Sequence, residues 1–162
     1  MMTKKAQNQP QQVVVNENNC DVEQTRSALS DLYKNTTMSQ DAIKKLLAYV
    51  DDSEVNQALH NQVEQYDRYT EQIGTLADKL NFDPTPAPKI ALVMASLGLK
   101  SKLIANKSLT HIAKIMMQGT LNGIIDMYRT TKQDGLHPEV ALLAKQILHY
   151  EESRLEQLKS WL

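Results

Sequence analysis

Seven-residue spacing of apolar side chains constrains this chain more than any other feature of its sequence. Over residues 21–50 the spacing selects one series of side chains: Val22, Leu29, Thr36, Ile43 and Val50. Such a repeat places its members on one face of an α-helix, and that face must pack against other helices. Because the middle member is a threonine, the buried face is predicted to turn polar halfway along the helix.

A second helix is predicted from about residue 53 to residue 80, after a tight break at residues 51–53. Its inward stripe is also polar in the middle, at Gln62 and Tyr66. The short connection makes the first two helices an antiparallel hairpin. Counted outward from that turn, the polar parts of the two stripes lie at the same level and are expected to meet.

A second hairpin is predicted in the C-terminal half. Its first helix covers about residues 100–131, with Gly119, Asn122 and Gly123 among its inward positions. Gly135 is the expected turn residue, and Pro138 opens a last helix that continues to the C-terminus.

The two hairpins are joined by a proline-rich connector. Pro84, Pro86 and Pro88 require extended backbone, and a short extra helix is predicted at residues 89–97, ended by Gly98. These ~19 residues can span roughly 42 Å, about the length of a 28-residue helix. A long crossover from one end of the bundle to the other is therefore expected, although an up-down-up-down connection stays open.

Glu151 interrupts the apolar stripe of the last helix. The other members of that stripe are Val140, Ala144, Ile147, Leu155, Leu158 and Leu162. A carboxylate in a core needs a hydrogen-bonding partner or takes a raised pKa. The sequence predicts a polar layer at mid-bundle that serves as packing or as a ligand site, formed by Thr36, Gln40, Gln62, Tyr66, Asn122 and Glu151. If Glu151 is only a buried acid beside Tyr66 and Gln62, Glu151→Gln is expected to be neutral or stabilising near pH 7.

Three stretches carry a resemblance to a known fold: SQDAIKKLLAYVDD, HIAKIMMQGTLNGIIDMYR and HYEESRLEQLKSWL. With the crossover and the polar mid-helix residues, the chain from about residue 21 to 162 resembles the ferritin-like fold. It is similar to small uncharacterised bacterial ferritin-like four-helix-bundle proteins. The resemblance implies an all-α four-helix bundle with the proline-rich crossover and short extra helix between helices two and three.

The ferritin-like fold also implies a dinuclear iron or manganese site. That site takes a glutamate from each of two helices and a Glu-x-x-His pair from each of the other two. This chain departs from the pattern on three helices, which offer Thr36 and Gln40, Gln62 and Tyr66, and Asn122 where acids belong. Only Glu151 fits, so no metal ligands and no cofactor are predicted.

Composition excludes several classes of function. The formal net charge is −1, which gives no global field for nucleic acid. No window of about 18 apolar residues is present, so no membrane span is predicted. The single cysteine, Cys20, cannot form an internal disulfide, and a cytoplasmic setting is expected. Residues 1–20 are predicted to be a flexible polar tail, and residues 21–162 a single helical domain.

These observations favour a non-enzymatic helical bundle that acts through protein contact or small-ligand binding, with no catalytic residues. The alternative is a degenerate or unusual metal-binding or redox protein of ferritin-like type, which would use Glu151 with iron or manganese. Helix three is apolar on more than one side. Self-association through helix three or through the 89–97 helix is therefore expected.

Overall fold

The computed structural model describes residues 20–88, 98–103 and 105–162. The predicted tail, apart from Cys20, and the predicted helix at 89–97 lie outside these residues. The described part contains four long α-helices: α1, Val22–Leu46; α2, Ser53–Lys79; α3, Leu109–Thr131; and α4, Pro138–Lys159. A 3₁₀ turn, Leu47–Tyr49, follows α1. None of these described helices is both long enough and apolar enough to cross a bilayer.

Each helix begins at a residue whose side chain caps the first turn. Asp21, Asp52 and Ser108 accept hydrogen bonds from backbone N–H groups of α1, α2 and α3, as N-cap residues do. Pro138 occupies the first turn of α4, where its missing N–H costs nothing. The cap at Ser108 corrects the predicted start of helix three at about residue 100. Residues 98–103 are helical, but residues 106–108 interrupt the helix before α3 begins.

Contacts at one end of the bundle establish the order of the helices. The Asp21 backbone N–H donates to the Gly135 carbonyl at 2.7 Å, and the His137 N–H donates to Thr25 Oγ1 at 3.0 Å. The start of α1 therefore lies beside the turn between α3 and α4. At the same end, the Lys79 ammonium at the close of α2 donates to Glu139.

These contacts decide the connection that the sequence left open. Because α1 and α3 run antiparallel, and α2 and α4 also run antiparallel, α2 and α3 point in the same direction. Residues 80–108 must then cross the length of the bundle. The expected crossover is confirmed, and simple up-down-up-down order is wrong.

The core follows the predicted stripes of α1, α2 and α4 except at Val22 and Leu162, which are 55% and 57% exposed. It holds fully buried leucine and isoleucine side chains. They are Leu29, Leu32, Leu59, Ile73, Ile147 and Leu158. Leu103, from the segment before α3, is fully buried with them. Of the pairs of neighbouring helices, α2 and α4 approach each other least closely. Long polar side chains bridge the space between them.

The two glycines of α3 have different surroundings. A Cβ added at Gly119 would meet nothing within 4 Å, whereas a Cβ added at Gly123 would lie 3.1 Å from Asn35 Nδ2 and 3.8 Å from Glu151 Cδ. Gly119 is exposed, which corrects its predicted inward position. Only Gly123 makes room for a neighbouring helix.

We expect opposite effects from filling the two glycine positions. Gly119→Ala should raise the free energy of unfolding by about 0.8–1.0 kcal/mol, because alanine favours the helix. Gly123→Leu should lower it by about 1–3 kcal/mol through overpacking against Asn35 and Glu151. Urea denaturation of both variants measures the difference. A Gly123→Leu protein as stable as the wild type would contradict the close approach.

Candidate functional site

Glu151, Arg154 and Tyr66 form a hydrogen-bonded cluster at mid-bundle. The Tyr66 hydroxyl donates to Glu151 Oε1, and Arg154 Nη1 donates both to the Tyr66 hydroxyl and to Glu151 Oε2, the latter at 3.0 Å. Glu151 is 1% exposed, Arg154 5% and Tyr66 0%. The cluster is therefore a buried ion pair whose carboxylate also receives a phenolic hydrogen bond.

Local helix geometry explains why these side chains meet. Glu151 and Arg154 are three residues apart on α4, so both point from the same face toward α2. The Arg154 guanidinium also lies over the ring of Tyr66, with Cζ 5.2 Å from the ring centroid. Tyr66 thus binds the arginine through both its hydroxyl and its ring face.

Gln62 extends the cluster toward the surface. One helical turn before Tyr66, its Oε1 accepts from Arg154 Nε at 3.2 Å, and its Nε2 donates to Gln157 Oε1 at 3.4 Å. The ring of Tyr150 packs edge-on against Tyr66, with centroids 5.6 Å apart. Each of these contacts joins α2 to α4 through side chains.

Burial controls the protonation of the cluster. It raises the pKa of the Glu151 carboxyl, while the Arg154 charge and the hydrogen bonds from Tyr66 and Arg154 oppose part of that rise. Burial also raises the pKa of the Tyr66 phenol well above its usual range and that of Tyr150 to about 12. Tyr66 therefore keeps its proton across the physiological range and acts as a donor to Glu151.

The side of the layer toward α1 and α3 is sparsely bonded. Thr36 is buried, but its hydroxyl donates to the Leu32 carbonyl of its own helix at 3.0 Å. Asn35 Oδ1 and Thr120 Oγ1 are buried atoms with no hydrogen-bond partner in the described part of the chain. The hydrogen bonds of Glu151 are thus directed to α2 and to its own helix.

The structure brings together three of the six predicted layer residues. Gln62, Tyr66 and Glu151 are joined by the cluster, and Thr36 is buried without a hydrogen bond to it. Gln40 is half-buried and donates to Asp67 instead. Asn122 is exposed, so its predicted inward position is wrong. The buried side of α3 is one residue further along, at Met116, Thr120, Gly123 and Met127.

Sequence reasoning missed Arg154, although a signal was present. Arg154 lies three residues after Glu151, which puts it on the same helical face as the buried acid. The presence of Arg154 also changes the effect on stability that we expect from Glu151→Gln. Removing the carboxylate charge leaves a buried guanidinium without its counter-ion, so the substitution is now expected to be destabilising.

A polar groove opens between α2 and α4 above the cluster. It has a volume of about 550 Å³, and Gln62 and Arg154 form part of its lining together with Tyr150. The remaining lining side chains are mostly amides and charged groups: Ala58, Asn61, Glu64, Gln65, Arg68, Ser153 and Gln157. The groove therefore joins a buried cation to the surface through a wall of hydrogen-bonding groups.

Comparison with known proteins supports the fold. No family model matches this sequence, and no curated protein matches it. The chain is similar to the crystal structure of a two-domain protein from Anabaena variabilis that contains DJ-1/ThiJ/PfpI-like and ferritin-like domains. The TM-score is 0.70 at 14% sequence identity, and the match covers 98% of this chain and 44% of that chain. This chain thus spans less than half of its neighbour's length.

The described helices and this likeness together show the class of protein: an all-α bundle of ferritin-like fold. Within that fold, Glu151 and Arg154 have the i, i+3 spacing of a Glu-x-x-His pair, with arginine in place of the histidine. Tyr66 and Gly123 face this pair from α2 and α3. The fold is ferritin-like, but its mid-bundle layer is not composed of the glutamate and Glu-x-x-His residues of a dinuclear metal site.

The residues present do not fit the dinuclear metal centre that the fold implies. Glu151 is already bound by Arg154 and Tyr66, and a guanidinium is a permanent cation that repels a divalent ion. Glu64 and Asp126 are exposed, and Asp67 is bound by Gln40. Among the described residues, no group of three or more His, Cys, Asp or Glu side chains could hold a metal.

Proposed function

We propose that this protein is a non-enzymatic ferritin-like bundle that binds a small polar ligand in the groove between α2 and α4. The observation that carries the proposal is the groove itself, about 550 Å³ in volume and lined by the buried side chains of Gln62 and Arg154. Pockets of this size accommodate small organic molecules. The ion pair of Glu151 with Arg154 supports a binding role over metal chemistry, because it occupies the centre of the bundle with fixed charges.

Blocking the groove is expected to abolish ligand binding. In ¹⁵N NMR titrations of the full chain with a panel of small carboxylates, amides, polyols and amines, at least one probe should shift the side-chain amide signals of Asn61, Gln65 and Gln157. Ser153→Tyr places a ring in the groove from an exposed position and should remove those shifts.

Glu152→Tyr is the matched control, because Glu152 is the exposed neighbour of Ser153 and does not line the groove. It should leave the titration unchanged. If no probe at millimolar concentration moves a groove signal, or if both tyrosine variants behave alike, the proposed function is wrong.

A second proposal concerns self-association through helix three. Leu121, Ile125 and Tyr128 lie at i, i+4 and i+7 on α3, and Leu142 is an exposed apolar residue of the neighbouring helix α4. These four side chains are 45–58% exposed. Exposed apolar side chains grouped in this way are typical of a contact with another protein surface. A second copy of the chain is the occupant that we propose, in keeping with the prediction from the sequence.

We expect the wild-type chain to sediment as a dimer at high micromolar concentration. Ile125→Glu should convert it to a monomer, because a charge in an apolar contact is costly to desolvate. Glu64→Lys, an exposed change on α2, is the control and should leave the dimer intact. A wild-type protein that stays monomeric at all concentrations in analytical ultracentrifugation would rule out this contact.

A further inference from the structure

The guanidinium of Arg154 has one nitrogen to spare. Its Nε donates to Gln62, and its Nη1 donates to Tyr66 and Glu151. Within residues 20–88, 98–103 and 105–162, no acceptor is paired with the third nitrogen, Nη2. The side chain is 6% exposed, and Arg154 lines the groove. Arg154 is therefore a nearly buried, charged residue in the groove wall whose Nη2 is available to donate hydrogen bonds to a ligand.

Such a donor favours an anionic oxygen. Hydrogen bonds between a guanidinium and a carboxylate are shorter and roughly twice as strong as bonds between neutral groups. Burial strengthens them further, because little water remains to compete. The Ser153 hydroxyl and the Gln157 amide lie in the wall of the same groove and can donate to the same ligand.

The balance of charge limits the ligand to a single negative charge. Arg154 shares its positive charge with Glu151 at 3.0 Å, and Arg68, the other arginine of the groove, is 4.0 Å from Glu64. The groove thus has two cations and two carboxylates around it. A phosphate dianion would need more uncompensated positive charge than this arrangement offers, whereas a monocarboxylate needs one directed donor and neutral hydrogen-bonding groups.

We propose that the groove binds a small monocarboxylate, whose oxygens accept hydrogen bonds from Arg154 Nη2 and from the amide and hydroxyl groups of the wall. This inference rests on the proposed ligand-binding function of the same groove. The half-buried ring of Tyr150 and the methyl group of Ala58 provide apolar contact for the body of the ligand.

The test compares benzoate with benzamide, two probes of nearly equal shape that differ in charge. The full-length chain is titrated with each, and the Arg154 Nε–Hε signal and the Asn61, Gln65 and Gln157 side-chain amides are followed by NMR. Benzoate should bind about tenfold more tightly than benzamide, as expected for a charge-assisted hydrogen bond. It should also shift the Arg154 signal.

Two variants distinguish the effect of the Arg154 charge on ligand binding from the effect of losing the fold. In Glu151→Gln/Arg154→Met the core carries no charge, and circular dichroism verifies that the bundle is intact. This variant should lose the preference for benzoate. In Glu151→Gln alone the competing carboxylate is absent, so benzoate should bind more tightly than to the wild type.

Each outcome has a separate meaning. Equal binding of both probes, or a preference for benzoate that persists in Glu151→Gln/Arg154→Met, would overturn the carboxylate assignment and leave the ligand-binding groove in place. If neither benzoate nor benzamide moves a groove signal while another probe of the panel does, the carboxylate assignment alone fails. If no probe of any class binds, the proposed function fails with it.

Discussion

Arg154→Met is expected to lower the free energy of unfolding by about 3–5 kcal/mol near neutral pH. The substitution keeps much of the side-chain volume and removes the charge. Glu151 then stays buried without its counter-ion, and Tyr66 and Gln62 each lose a hydrogen bond from the guanidinium. Urea denaturation followed by circular dichroism measures the loss. Arg68→Met is the control, because the Arg68 side chain is 65% exposed and its removal should change stability by less than about 0.5 kcal/mol.

The double variant Glu151→Gln/Arg154→Met should recover most of this loss. With both charges gone, no uncompensated ion remains in the core, and replacing a buried ion pair with neutral groups is often neutral or stabilising. Glu151→Gln alone should be destabilised, because the guanidinium is then the unpaired charge. A double variant that is less stable than both single variants would show that the two residues do not act as a pair.

The loss of stability caused by Arg154→Met should depend on pH in a defined direction. Burial raises the pKa of Glu151 above 4.5 in the folded state, so its contribution to stability is fully present below about pH 4.5 and is lost as pH rises through the folded-state pKa. The Arg154 charge opposes that rise in pKa, so removing it raises the pKa further. The stability deficit of Arg154→Met relative to wild type should therefore shrink as pH falls toward 4.5. A deficit that grows on acidification would contradict the buried carboxylate.

Tyr66→Ala should lower the free energy of unfolding by about 3–5 kcal/mol, the range for removing a large buried aromatic side chain. Tyr66 is fully buried, and its ring contacts both Tyr150 and the guanidinium of Arg154. Thermal and urea denaturation measure the effect. The loss combines a cavity with the removal of the hydroxyl between Arg154 and Glu151.

Tyr66→Phe separates these two parts. It keeps the ring and removes only the hydroxyl, so the expected cost is about 1–3 kcal/mol for leaving buried polar partners unsatisfied. Tyr150→Phe is the matched control, because the Tyr150 hydroxyl has no hydrogen bond within the described residues. If Tyr66→Phe is as stable as Tyr150→Phe, the hydroxyl of Tyr66 does not bridge the ion pair.

Much of this architecture could be predicted from periodicity. The stripes of α1, α2 and α4 each present one apolar face. The buried side of each helix, and the burial of Glu151, could therefore be predicted from the spacing of apolar residues. α3 is different, because Leu121 and Ile125 are exposed apolar residues on its outer side. With apolar residues on several sides, spacing does not fix which side is buried, and the predicted face was wrong by one residue.

The cluster was harder to predict than the helices. Arginine is almost always exposed unless it is paired, and the apolar stripe predicted for the last helix does not include Arg154. Its burial follows from the three-residue step after Glu151 together with a tyrosine supplied by another helix. The groove depends on how far apart α2 and α4 lie, and no spacing along one chain segment encodes that distance.

The bonds of Arg154 also have a consequence for the alignment of α4 on α2. Apolar side chains make contacts that survive a slide along the helix axis, since one leucine can replace another. A slide by one helical turn, about 5.4 Å, would separate Glu151 from Tyr66 and Arg154 from Gln62, and would break the hydrogen bonds between the helices that satisfy the two buried ions. We therefore expect the two helices, which have less backbone contact than the other neighbouring pairs, to be held in one relative position by the directional bonds between them.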